Sequence, residues 1–157
     1  MSAYSPPTAT TDRPGVDAAL LIARIALGLP FVFHGAQIAL GAFGGPGLQG
    51  FVEASHGKMP MAAAVLVGYG ELLGGLGVLF GVLSRLASVG LMVIMLGAIF
   101  TVHLPNGYSV QKGGIEYALT LALMALVIIV VGPGQWMLGR YIFPKQEATD
   151  EPIPALQ

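Results

Sequence analysis

Residues 67–85 read VGYGELLGGLGVLFGVLSR, an apolar stretch whose single acid is Glu71 and whose first basic residue is Arg85 at its end. Such a stretch predicts a helix that crosses a membrane, because about 20 apolar residues at about 1.5 Å each match a hydrocarbon core about 30 Å thick. Gly70 and Gly74 stand four apart, Gly77 and Gly81 four apart, with Gly75 between them. Small residues at that spacing let helices approach closely in lipid, where packing rather than hydrophobic exclusion drives association. The span is therefore expected at the centre of a helix bundle. Its glycines also leave room for a ligand, but close helix contact is the commoner use.

The rest of the chain supports this reading. Of 157 residues, 55% are hydrophobic and 10% charged, and the mean hydropathy is +0.77. A water-facing domain carries about a quarter charged residues, so a soluble enzyme is excluded. The absence of Cys removes disulfides, thiol relays, Cys-ligated zinc, iron–sulfur clusters and attached c-type haem. A net charge of -1 without a basic run argues against nucleic acid as a partner. Hydropathy resolves four candidate spans, near 17–42, 61–83, 86–104 and 115–131, within one membrane domain, 17–143. The Pro-rich stretch 1–16 and the stretch 144–157 are expected to be disordered tails.

Lipid offers no hydrogen bonds to a backbone, so the fold class expected is all-α, an integral membrane four-helix bundle of up-down-up-down order. Arg13, Arg85, Arg140 and Lys145 fall on one side of it against Lys58 and Lys112 on the other, a four to two bias that predicts both termini in the cytoplasm; the expected location is the inner membrane. Trp136, Tyr141 and Phe143 suit an aromatic anchor on the inner side. Ser84-Arg85 is expected as the tight turn between spans two and three, with Pro105-Asn106-Gly107 and Gly132-Pro133-Gly134 as helix stops. The outer loop, 43–60, contains Leu48, Phe51 and Val52 at the spacing of a short amphipathic helix, either a lid over the outer mouth or a plain connection. Pro30 predicts a kink just below His34, serving either to aim that residue or only the helix architecture.

The chemistry falls to the ionisable groups in or beside the spans: Arg24, His34, Glu71, His103 and Glu116. Such groups are costly in hydrocarbon unless paired, neutral or turned to a cavity, which makes them site candidates. Counted from Met61, Glu71 lies about 15 Å below the outer boundary. Helical side chains lean toward the N-terminus of their own helix, so Glu71 leans outward toward the layer of His34. His34, Glu71, His103 and Glu116 are thereby expected to converge in the outer half, with Gln37 one turn beyond His34 extending the cluster. Arg24 is expected to snorkel to the cytoplasmic interface rather than pair with Glu71. The plainer alternatives are interfacial wetting for His103 and Glu116 and a backbone hydrogen bond for His34. Two His and two Glu also suggest a metal, but they lie on four helices without a spacing motif, and none is assigned.

RIALGLPFVFHG (24–35), YGELLGGLGVLFGVLSRLAS (69–88), FTVHLPNGYS (100–109), GGIEYALTLAL (113–123) and GPG (132–134) together resemble the DoxX family of small membrane proteins. The resemblance runs in order over most of residues 20–134. Its characteristic positions fall on Arg24, Gly28, His34, Gly35, Glu71, Gly81, Arg85, His103, Glu116 and Gly132-Pro133-Gly134. The chain departs from it at Ile38, where many members carry Lys, and at Gln135-Trp136-Met137-Leu138 after the GPG. The resemblance implies a four-helix membrane protein with membrane redox as its theme.

Three functions follow as expectations. The first is a quinone-dependent oxidoreductase, or the membrane subunit of one. In it His34, Glu71, His103 and Glu116 carry the catalysis, with Gln37 and Arg24 binding the ligand. His34 would hydrogen-bond a ring carbonyl, while Glu71 and Glu116 exchange protons. The partners are then the lipid bilayer, an oxidoreductase subunit supplying electrons, and further copies of the chain. The second is a proton-coupled transporter of lipophilic compounds, and the third an assembly subunit of a redox complex.

Overall fold

The computed structural model describes residues 14–142. Its regular structure is helical throughout: α1 (Pro14–Leu40), α2 (Gly47–Ala54), α3 (Met61–Phe80), α4 (Ser84–Ala98), α5 (Glu116–Val131) and the short α6 (Gly139–Ile142). A π-helical turn, Ile99–His103, and a 3-10 turn, Leu104–Asn106, carry the α4 rod to 106. Three helical runs, Pro14–Leu40, Met61–Phe80 and Ser84–Asn106, are long and apolar enough to cross a membrane. The fourth expected span is shorter, since the 16 residues of α5 reach about 24 Å of the roughly 30 Å hydrocarbon core. One end of the bundle, the turn end, holds the start of α1, the α3–α4 turn and the Gly132–Trp136 segment. The opposite end, the loop end, holds α2 and residues 104–115.

The boundaries follow local chemistry. Pro14 opens α1 ahead of the expected Asp17, because proline's missing amide costs nothing in a first turn. Contrary to expectation, Ser84 and Arg85 are not the turn but the first residues of α4. Gly81 ends α3 in the left-handed conformation (φ 74°), so the reversal occupies Gly81-Val82-Leu83. Gly107 (φ 78°) and Gly132 (φ 97°) stop the other rods at the expected glycines. α1 runs unbroken through Pro30. The expected short helix in the outer loop is α2, which packs against α1 and α3. Phe143, Arg13 and Lys145 lie outside the described residues, as do residues 1–13 of the first expected tail and all of the second, 144–157.

α1 and α3 meet backbone to backbone. A Cβ on Gly28 would stand 2.9 Å from the Gly75 carbonyl oxygen, and one on Gly75 would stand 2.7 Å from the Val32 amide nitrogen. A Cβ on Gly35 would overlap the Leu72 backbone, and one on Gly68 would stand 2.9 Å from Ile38 Cγ2. The glycines recur seven apart on both helices, the repeat of a continuous packing seam. Of the glycines singled out in the sequence, Gly75 belongs to this seam and Gly81 to the turn, while the other three serve the opposite side of α3. There Gly70, Gly74 and Gly77 lie under Ile94, Leu91 and Ala87 of α4. α3 thus sits between α1 and α4, α5 packs on α4, and Leu27, Phe31, Val78, Leu91, Ala125 and Ile128 fill the centre.

Overpacking a close seam costs about 1–3 kcal/mol, and Gly35→Ala is expected to show a loss of that size in thermal unfolding in detergent. Gly90, whose added Cβ would meet nothing within 4 Å, is the control: Gly90→Ala is expected to be neutral or to gain about 0.5–1 kcal/mol from helix propensity.

Candidate functional site

The buried stripe of α3 is Ala64, Gly68, Glu71, Gly75 and Val78. Glu71 stands three residues after one seam glycine and four before the other, so the packing that joins α3 to α1 also buries its carboxyl, 6% exposed. Its Oε2 has no hydrogen-bond partner among the described residues. A buried carboxyl without a partner is costly, and here it borders a cavity of about 620 Å³ in the loop-end half of the bundle. The lining is mostly apolar. Phe31, Ile94, Met95 and Leu121 form much of the wall, and Phe51 of α2 covers it from the loop.

His34, Glu71 and His103 all line this cavity, with Tyr117 and Thr101. The His103 ring accepts its place from a loop: Nδ1 lies 2.7 Å from the Gly113 carbonyl oxygen. A carbonyl only accepts, so Nδ1 carries the hydrogen and Nε2 of the neutral ring is left as an acceptor. The π-helical turn brings this about at the end of the α4 rod, a place where such turns recur at functional sites. His34 is exposed and projects beside Phe33, ring centroids 5.6 Å apart in an edge-on arrangement.

The remaining expected members lie elsewhere. Glu116 Oε2 accepts from the Val110 amide at 2.9 Å, and the Glu116 amide donates to the Tyr108 carbonyl at 2.9 Å, so this residue ties down the 107–112 loop and does not line the cavity. Its helical neighbour Tyr117, one step of about 100° around α5, takes the cavity face instead. Gln37 is roofed by the loop, because Gly45 packs directly on its backbone and Cβ. Among the described residues, no group of three or more His, Asp or Glu stands close enough to hold a metal ion.

Arg24 is the largest departure. It is 1% exposed rather than snorkelling, lies in the buried stripe of α1 and donates from Nη2 to the Trp136 carbonyl, with no pairing to Glu71. The reason is the chain after α5, which folds back over the turn end. The Leu138 amide donates to the Phe80 carbonyl at 2.8 Å, and the Gln135 amide donates to Asp17 Oδ1 at 2.8 Å. Gly81 has no room for a side chain between the Arg24 guanidinium and Met137. Arg85 reaches the exposed Val131 carbonyl at the C-terminus of α5, at 3.4 Å. The two arginines and the Gly132-Pro133-Gly134 segment therefore form one cap, at the opposite end from the cavity. Trp136 (53% exposed) and Tyr141 (85% exposed) lie on its outer surface.

Arg24→Ala is expected to cost about 1–3 kcal/mol through the stranded carbonyl and lost packing. Amide exchange should accelerate at Leu138 and Gly139 and stay unchanged around His103. In ¹⁵N spectra, the neutral ring of His103 is expected to carry its hydrogen on Nδ1; a hydrogen on Nε2 would refute the Gly113 contact as described.

No solved structure matches the chain. It is 31% identical over 137 residues to the uncharacterized membrane protein Rv3486 of Mycobacterium tuberculosis, covering 80% of this chain and 82% of that one. The profile of the DoxX family matches residues 19–104, which take in most of α1, all of α2 and α3, and the α4 rod to its π-helical turn. With its apolar helices, glycine seam and membrane-protein relative, the chain is an integral membrane protein and belongs to the DoxX family.

Proposed function

We propose that the cavity binds the ring of a quinone-type lipid and that the protein works as a quinone-linked oxidoreductase or as the membrane subunit of one. The observation that carries this reading is the Glu71 carboxyl, buried, with Oε2 unpartnered among the described residues, at the wall of a cavity of about 620 Å³. That volume lies within the roughly 300–1,000 Å³ of small-molecule pockets, and a mostly apolar wall with a few convergent polar groups is their usual make-up. A membrane-dissolved ring suits such a wall better than a hydrophilic anion, for which the lining offers few partners.

When bound, a quinone accepts two electrons and two protons to become a quinol. The electrons come from the redox centre of a partner oxidoreductase subunit. His34 and Tyr117 supply N–H and O–H groups to the ring oxygens, fixing its orientation. Glu71 holds a proton at the cavity wall when neutral and accepts one when ionised. His103, with Nδ1 held by Gly113, exchanges a proton at Nε2. Glu116 acts indirectly, as a positioning residue that holds the loop carrying Gly113. Arg24 and Gln37 have no part in ring binding in this reading, since both are covered by other segments.

Both termini lie in the cytoplasm in this proposal, in the inner membrane of a bacterial cell, so that the loop end faces outward. The support is the distribution of Arg and Lys between the segments flanking the spans, with Arg13, Arg85, Arg140 and Lys145 against Lys58 and Lys112. Proton exchange through His103 then occurs with the outer side.

General acid–base groups contribute about 10²–10⁴-fold, so Glu71→Gln is expected to lower quinone reduction in membranes by about 100-fold or more while the purified variant still retains quinone. Turnover at the wild-type rate would remove Glu71 from the mechanism. Failure of the wild-type protein to retain any quinone would overturn the reading.

A further inference from the structure

α3 and α4 are held close from the turn as far as Gly70, whose added Cβ would stand 3.0 Å from Ile94. There a Cβ on Gly74 would stand 2.8 Å from Leu91, and one on Gly77 would stand 3.1 Å from Ala87. Toward the loop end this contact gives out. Leu66 and Val67 of α3 and Val93 and Gly97 of α4 border the cavity. A Cβ on Gly97 would meet nothing within 4 Å. Leu66 and Val93 line the cavity and are nevertheless 73% and 64% exposed. A residue on a membrane helix that belongs both to a cavity wall and to the outer surface marks a place where the cavity opens sideways, toward lipid.

The polar groups are distributed in the opposite sense. Glu71 sits in the stripe that faces α1, His34 on α1 and Tyr117 on α5, whereas the α3–α4 opening is framed by Leu66, Val93 and Gly97. The Gly97 carbonyl accepts from the Thr101 hydroxyl at 2.7 Å, so both polar groups are satisfied within the α4 rod. The space is therefore oriented, with the buried Glu71 carboxyl at its inner wall and apolar side chains at the α3–α4 mouth, while His34 and Tyr117, themselves exposed on one side, stand at its α1–α5 side. An apolar tail of a ligand gains about 0.8 kcal/mol for each buried CH₂ on leaving water, yet in this opening it exchanges lipid for lipid-like walls at little cost. A hydrophilic substrate would have to cross the same apolar frame without compensation.

We infer that the ligand is a tailed ring, with its ring among Glu71, His34 and Tyr117 and its tail leaving into the bilayer between α3 and α4 past Gly97. This inference rests on the quinone reading for the nature of the ring and adds the tail, its route and the residue that keeps the route open. Gly97 is the specificity-determining position, because a large side chain such as Phe there would fill the opening, whereas the small side chain of Cys, whose Cβ would meet nothing within 4 Å, leaves it passable.

The chain contains no Cys, so single cysteines report their own sites. Gly97→Cys and Val130→Cys, the latter on the exposed face of α5 and away from the cavity, are placed in lipid nanodiscs and labelled with a membrane-dissolved maleimide. A decyl-tailed benzoquinone and the same ring without a tail serve as ligands. At a concentration about ten times its Kd, the tailed quinone is expected to slow labelling at position 97 about tenfold and to leave position 130 unchanged. The tailless ring, at equal occupancy measured by co-elution, leaves both rates unchanged. Unaltered labelling at position 97 with the tailed quinone bound, or equal slowing by both rings, overturns the inference. If neither quinone co-elutes with the wild-type protein, the quinone reading itself fails. A decyl-tailed phenol then decides the route: protection of position 97 upholds it, and no protection overturns it.

Discussion

The contact of α1 with α3 through bare backbone is the constraint on which the other features rest. Gly28 and Gly35 on one helix and Gly68 and Gly75 on the other leave no space for a side chain between the rods. In lipid, where apolar exclusion gives no advantage to helix association, such close approach is what makes one pairing better than its competitors. Glu71 is fixed by this geometry. It occupies the seam stripe between the two glycines of α3, so the helix cannot rotate to release the carboxyl without breaking the seam. The same rotation sets the opposite face of α3, where Gly70, Gly74 and Gly77 receive α4.

Few charges are spread over this molecule, and the two ends use theirs differently. At the turn end, Arg24, Asp17 and Arg85 are all engaged with main-chain groups of the segment that follows α5. Their work is architectural: they anchor 132–138, whose carbonyls and amides would otherwise lie bare at the end of the bundle. At the loop end, Glu116 and His103 hold the 107–113 loop in the same manner. Among the described acids, Glu71 alone keeps a buried carboxyl oxygen that no described residue satisfies, while Arg24 keeps Nε and Nη1 unpartnered beside its bond to Trp136 and the neutral Ser88 hydroxyl is likewise left over. Charged positions that look alike in a sequence therefore separate into supports and one unpartnered acid once their acceptors are known.

Much of this was legible beforehand. Scarcity of charge and the length of the apolar tracts dictate helices in a membrane, and the glycine spacing of 67–85 points to a central, closely packed rod. Glu71 is legible because depth alone makes a carboxyl there hard to explain. Arg24 was misjudged because snorkelling assumes an open interface, and nothing in the 20–40 stretch reveals that Trp136 returns over it. The signal was Gly81 in line with Arg24, with Gly132-Pro133-Gly134 able to turn the chain back. Tyr117 was missed because attention to formal charge selects Glu116, one residue and a quarter-turn away. His103 and Glu71 sit 32 positions apart, and only the bundle's crossing order brings both to one space.

The π-helical turn at Ile99–His103 has a consequence for how α4 is to be numbered. A π-turn holds one residue more than the α-helix it interrupts, so everything beyond it is displaced by about 100° from the phase set upstream. Leu91 and Met95 obey one phase and His103 another. A helical wheel drawn from Ser84 onward thus loses its meaning at Ile99. A relative that lacks the extra residue would present a different side chain to the same space even where its letters align with those of this chain.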